Sequence, residues 1–230
     1  MPTTAPNAPK PPAIGLAAPL ARLVAPLSPA RKFSPQVEAL YDRALREDGL
    51  LAGTPIATLD GWIPVERLGA GDRVVTFDNG LQPITKVEQL VIPRKSIPAQ
   101  KAFVMTVPPG ALGNRQPLSL LPCQEVVVES DLAEAEFGEA FVIIQALWLE
   151  GYRGIHRSPL AADPEVHLLT FAAEQSVYIS GATLATCRVD ADFSPLSAAT
   201  ITGDAVYPRL TQSQLRQIAD DLKANATPGD

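Results

Sequence analysis

The chain is poor in the residues that most often carry chemistry. Its 230 residues include only two cysteines and two histidines. Cys123 and Cys187 stand far apart and match no Cys-x-x-Cys metal spacing, and with His156 and His167 they form no sequence pattern of metal ligands. Two cysteines cannot define a disulfide framework, so the redox compartment is left open, and both are expected to behave first as small buried hydrophobes. No apolar run approaches the ~18 residues of a membrane span. Between Ala13 and Leu27, Arg22 interrupts the apolar stretch and Pro19 and Pro26 break it, so no convincing secretory leader is present. Location is otherwise unassigned, with the cytoplasm or a larger assembly as the expectation. There is no Gly-x-Gly-x-x-Gly, no phosphate loop and no Asp-x-Asp calcium loop, and therefore no expected cofactor or metal. Cations are also scarce. Residues 1–37 hold Lys10, Arg22, Arg31 and Lys32 and no acid; the chain's net charge is −6, so the remainder carries −10. An acidic body with four dispersed cations argues against nucleic acid as a partner.

What is abundant is proline, 23 residues, about twice the usual ~5% share. That leaves little room for long helices and favours strands, turns and tails. Residues 1–33, rich in Pro and Ala, read as an extended or disordered arm. A short helix is expected over 34–48, with Ser34 as N-cap, Pro35 in the first turn, Val37, Leu40, Tyr41, Ala44 and Leu45 on one face, and Gly49 as its stop. From 49 to about 190 the pattern is that of strands. Phe103–Val107, Glu125–Glu129, Ala140–Leu147, Val166–Phe171, Ser176–Ile179 and Thr183–Val189 are candidates, several with adjacent apolar residues that suit burial on both faces. Asp60-Gly61 and Asn79-Gly80 read as two-residue type I′ hairpin turns. A C-terminal extension, 191–230, contains a helix over 211–223. Thr211 and Gln214 form its capping box, and Leu215, Ile218, Ala219 and Leu222 its apolar stripe, expected to pack on the body.

Several segments in order resemble the Hint domain, the fold shared by hedgehog autoprocessing domains and inteins, in its bacterial form. They are Gly53-Thr54-x-Ile56-Ala57-Thr58, Gly61, Pro64-Val65-Glu66-x-Leu68, Gly71-Asp72-x-Val74, Asp78-Asn79-Gly80-Leu81-Gln82-Pro83-Ile84, Pro109-Gly110-Ala111-Leu112-Gly113, Val166-His167-Leu168-Leu169 and Ser180-Gly181-Ala182. The resemblance spans residues 49–187. It implies a mainly β, compact Hint-type fold with short flanking helices at both ends.

It also implies a self-cleavage site, and here the chain departs from the family. A Hint domain attacks the preceding carbonyl with a Cys or Ser, and a histidine protonates the leaving amine. The nucleophile position falls on Gly49, and Glu47–Ala52 contains no Cys, Ser or Thr. The histidine of the family's Ser-Pro-x-His-Arg strand aligns with Gln124, and a second usual histidine aligns with Gln175. Glutamine cannot shuttle a proton near neutral pH. These three are vestigial-site positions. The remaining candidates are Cys123, beside the lost histidine but without a visible base, Thr54, directly after Gly53, and His167, either an interior site residue or a satisfied core histidine. Asp72 and Asp78 read as turn formers, His156 as a surface residue, and Trp62 and Trp148 as core or interface anchors. The expected function is a degenerate, non-splicing module acting as an interaction or structural component, with protein partners meeting the N-terminal arm or the C-terminal helix. The alternatives are autoproteolysis by a non-standard nucleophile, which would make it an enzyme acting on its own chain, and binding of a small ligand where Gln124, Gln175 and His167 converge.

Overall fold

A computed structural model describes residues 49–97, 99–189, 207 and 210–226. The expected arm and the helix over 34–48 lie outside the described residues. Among the described residues fourteen strands and two α-helices follow one another: β1 (Leu50–Leu51), β2 (Pro55–Thr58), β3 (Gly61–Pro64), β4 (Arg73–Thr76), β5 (Gly80–Pro83), β6 (Lys86–Val91), β7 (Phe103–Val107), β8 (Leu118–Leu120), β9 (Glu125–Glu129), α1 (Asp131–Phe137), β10 (Phe141–Gln145), β11 (His156–Pro159), β12 (Glu165–Phe171), β13 (Gln175–Ile179), β14 (Thr183–Val189) and α2 (Gln212–Asn225). The mainly β expectation holds, and three of the strands named from sequence have the same bounds in the structure.

Eleven strands form one sheet along the path β1-β12-β14-β13-β2-β4-β5, with β3 added on β2, β6 on β12, and β9 with β10 on β14; β11-β7-β8 form a second sheet. β12 is the hub. It runs antiparallel to β6 over six pairs, antiparallel to β1 at Leu50↔His167 and Leu51↔Val166, and parallel to β14 at Thr170↔Arg188 and Phe171↔Val189. Its adjacent apolar residues serve two cores. Leu169 and Phe171 belong to the main cluster, while Val166 and Leu168 point the other way, into a smaller one with Leu121, Val104 and Leu160. A strand buried on both faces loses the polar–apolar alternation of a half-exposed one.

The two hairpins form where expected but with different turns. Thr58 pairs with Gly61 across Leu59-Asp60, and Thr76 with Gly80 across Phe77-Asp78-Asn79. Positive φ falls on Gly61 (103°) and Gly80 (63°) and on none of the loop residues before them. Neither is therefore a type I′ turn. The glycine follows the turn, as in hairpins that end on a left-handed bulge residue. Thr58 and Thr76 stabilise this alternative, their hydroxyls donating to Gly61 O (2.8 Å) and Gly80 O (2.9 Å).

α1 has no long apolar stripe and is set by its ends. Ser130 Oγ accepts from Ala133 N at 3.2 Å, and Gly138 closes it at φ 76. α2 has the expected capping box. Its stripe packs on the body: Ile218, Ala219 and Leu222 are buried in the main cluster, and Arg216 lies over the half-buried Trp148. Burying Ile218 and Leu222 contributes about 1.5–3 kcal/mol each. No helix among the described residues is long and apolar enough to cross a membrane.

Candidate functional site

The Gly53-Thr54 pair builds the turn between β1 and β2. Gly53 has φ 84, and its N–H donates to Glu66 Oε2 at 2.7 Å. Thr54, 4% exposed, donates both its N–H (3.1 Å) and its hydroxyl (2.7 Å) to Leu51 O. The Glu66 carboxyl is held below the ordinary carboxylate range, chiefly by the Gly53 N–H, with smaller help from His167 and Arg67. Both motif residues and Glu66 are thus committed to shaping the backbone. Asp72 behaves similarly, accepting from Gly69 N at 2.8 Å. Asp78 differs from the expectation of a local turn bond, because its Oδ1 accepts from the Tyr207 hydroxyl at 2.9 Å.

Gly49, just before β1, is buried. A Cβ placed there would lie 2.4 Å from Val166 Cγ1, 3.0 Å from Leu168 Cδ2 and 3.7 Å from Leu121 Cδ1. The space that a side chain at 49 needs is filled by the smaller core. Leu121 opens the turn leading to β9, so the chain does bring residue 49 beside the Leu121–Glu125 segment. Gln124, 1% exposed, donates from Nε2 to Glu125 O (2.9 Å) and Thr186 O (3.2 Å), while its Oε1 and Thr186 Oγ1 are buried without a hydrogen bond. Gln175, 4% exposed, accepts from Asn79 Nδ2 at 3.1 Å and pairs with Cys187 across the strands.

His167 is 2% exposed, and its Nε2 lies 3.0 Å from Glu165 Oε1, which also accepts from Gln89 Nε2 at 2.8 Å. A carboxylate can only accept, so Nε2 carries the proton. The hydrogen bonds of Gln124, Gln175 and His167 run to separate partners, and no bond joins the three. His156 is exposed at the start of β11, its Nδ1 2.9 Å from Gly154 O. Cys187 is buried and Cys123 half-buried. Among the described residues no group of three or more His, Cys, Asp or Glu is arranged to hold a metal ion. Sequence reasoning missed Glu165, although the two-residue period of a strand places it on the face of His167. It also missed Val166 as the residue that closes the space beside Gly49, for which the only signal was an apolar residue opposite β1.

The Hint domain family profile matches residues 49–189, more than half of the chain, beginning at the glycine just described. The chain belongs to the Hint domain family. Among solved structures, this Hint domain is similar to the solution structure of a bacterial intein-like domain from Clostridium thermocellum, at 13% identity over 61% of this chain and 97% of that one, with a TM-score of 0.43. A splice-inactive variant of the AceL NrdHF class 3 split intein gives 13% identity, 63% and 99% coverage and a TM-score of 0.43. The MchDnaB-1 intein gives 11% identity, 60% and 98% coverage and a TM-score of 0.34. Comparison with curated protein sequences found no match.

Proposed function

We propose that this Hint domain does not splice or cleave itself and acts as an interaction or structural component. The carrying observation is at residue 49, where a side chain is missing and its space is taken: an added Cβ meets Val166 Cγ1 at 2.4 Å. A Gly at the nucleophile position removes the attacking atom, and the packing of Val166 and Leu168 removes the room in which one would act. Gln124 and Gln175, at the positions where the family keeps histidines, support the same reading because an amide cannot deliver a proton to a leaving amine. Cys123 and Thr54 have less support as substitute nucleophiles. The Thr54 hydroxyl is donated to a carbonyl rather than to a base. The packed face of α2 leaves the polar side of that helix, the strand edges and the N-terminal arm for partners.

Intact mass of the purified full chain, incubated with and without thiol or hydroxylamine, tests the reading. The same run with Cys123→Ala and Thr54→Ala separates self-cleavage from spontaneous hydrolysis at Asp48-Gly49. An unchanged mass is expected. Nucleophile-dependent cleavage that disappears in either variant overturns the proposal and identifies the residue responsible.

A further inference from the structure

A half-open groove lies where the last turn of α2 meets β9, β14 and the start of β10. Its volume is about 410 Å³, within the ~300–1,000 Å³ of sites that enclose ligands. The floor is apolar: Val127, Leu184 and Leu222 are buried there, and the half-buried Leu112 and Phe141 border it. The charge around it is mostly of one sign. Among the described residues Glu129, Asp131 and Asp221 line it against one cation, Arg153. Glu129 and Asp131 are exposed at the rim, and Asp221 is half-buried. No ion pair among the described residues takes up any of the three. Asp221 accepts from Asn225 Nδ2 at 3.0 Å, an amide that leaves its charge in place, and Arg153 lies over the Tyr152 ring at 5.3 Å. Asn225 and Ala226 bring the C-terminal end of the 14-residue α2 to the groove, where the helix dipole is negative. The N-terminal end of the shorter α1 offsets part of the Asp131 charge but none of the other two.

Two observations select the occupant. The carboxylates do not converge on a point: among the described residues no group of three or more His, Cys, Asp or Glu is arranged to hold a metal ion. An ion at one carboxylate would therefore leave the others unmatched, and it would make no use of the apolar floor. A Lys or Arg side chain answers to both parts. Its methylene stem covers apolar surface while its charged head stays at a wet rim. A partner of negative charge would meet repulsion from the same three groups.

We propose that this groove docks a cationic segment of a partner protein. Arg or Lys heads meet Glu129, Asp131 and Asp221, while their stems and neighbouring aliphatic residues cover the floor of Val127, Leu184 and Leu222. The rim charges give selectivity and the floor gives affinity. The inference rests on the interaction-module reading and names one of its surfaces.

The test uses the full chain and two C-terminally amidated peptides with an uncharged N-terminal fluorophore, Gly-Arg-Leu-Arg-Leu-Gly and Gly-Gln-Leu-Gln-Leu-Gly. Binding is read by fluorescence anisotropy in about 50 mM salt. The Arg peptide should bind tighter than about 1 mM and at least about tenfold tighter than the Gln peptide. Raising the salt to about 0.5 M should remove most of that difference. Glu129→Gln, Asp131→Asn and Asp221→Asn combined should weaken the Arg peptide about tenfold. Arg153→Ala should instead strengthen it about twofold, and a damaged fold would not give both signs. In a spectrum of the parent protein, the amides of residues 129, 184 and 222 should shift on addition of the Arg peptide. No binding of that peptide, equal binding of the two, an unchanged affinity of the triple variant or a weaker one of Arg153→Ala overturns the site. Putrescine, with the same two positive charges, should compete at least about tenfold less well than unlabelled Arg peptide. Equal competition makes the groove a small-cation site and overturns docking of a protein segment. Protein mass is followed in the same samples. Uncut protein that ignores the peptide defeats the site alone, whereas self-cleaved protein defeats the inactive reading beneath it.

Discussion

Replacing Gly49 by Ala tests the packing argument at its narrowest point. Gly49 is not among the positive-φ glycines, so its backbone accepts a Cβ, and at an ordinary site of this kind Gly→Ala stabilises by about 0.4–1 kcal/mol through the unfolded chain. Here the new Cβ falls 2.4 Å from Val166 Cγ1 and 3.0 Å from Leu168 Cδ2. Val166 is wholly buried and β-branched, so it has few rotamers to escape into. Overpacking of a filled core costs about 1–3 kcal/mol, which exceeds the entropic gain, and the expected net is a loss of about 1–2 kcal/mol. Gly49→Cys should lose more. Val166→Ala removes the colliding methyl groups, so Gly49→Ala should be better tolerated in that background, with a coupling of at least about 1 kcal/mol. Urea unfolding of the parent, the three single variants and the double variant, fitted with a common slope, reads all of these values. Stabilisation by Gly49→Ala, or additive effects of the two substitutions, refutes the claim that the space at 49 is occupied. Thiol-dependent cleavage of Gly49→Cys would show that enough room remains for chemistry.

Ser180→Asn should stabilise by about 0.5–1 kcal/mol, because Asn tolerates the left-handed backbone better than Ser; a lower urea midpoint than the parent contradicts the strain at this residue. Ile218→Ala, in the packed face of α2, should cost about 2–4 kcal/mol and alter the fluorescence of Trp148, and loss of less than about 1 kcal/mol means the helix is only loosely seated. Burial first, then the hydrogen bond and charge of Asp78, raise the Tyr207 hydroxyl above the ordinary tyrosine range. Its folded form therefore holds the proton after the unfolded form has lost it, so its contribution to stability is complete below pH ~10 and declines as pH rises beyond that. Alkaline titration followed by tyrosinate absorbance should show one of the four tyrosines ionising only with unfolding, and Tyr207→Phe should remove that step.

Much of the fold was legible because it is written locally. Phe103–Val107, Glu125–Glu129 and Thr183–Val189 are apolar, β-rich runs with clear ends, and the Thr211–Gln214 box marks the start of α2. The turns were misread because Asp-Gly and Asn-Gly suit two geometries, and threonines outside the dipeptide, Thr58 and Thr76, favour the one that places glycine after the turn. α1 was not legible from periodicity, since seven residues give no lasting stripe and capping alone sets it. At the candidate site, the absence of a nucleophilic side chain at 49 is plain in the sequence. That Val166 closes the space is not, because it depends on the register between β1 and a strand more than a hundred residues away. The left-handed backbone of Ser180 depends likewise on Pro55 and Arg115, neither adjacent to it in sequence.

The unequal flanks of β12 give the domain a mechanical order. Tension applied at Gly49 reaches the sheet through β1, two residues long, backed by the bond from Ala52 N to Glu165 O. Behind it, β12 is anchored by six pairs to β6 and by its parallel register with β14. The first link to yield is therefore the shortest, and β1 can let go while the hub strand stays in its sheet. Under load the domain would open from its first strand while its central sheet keeps its register.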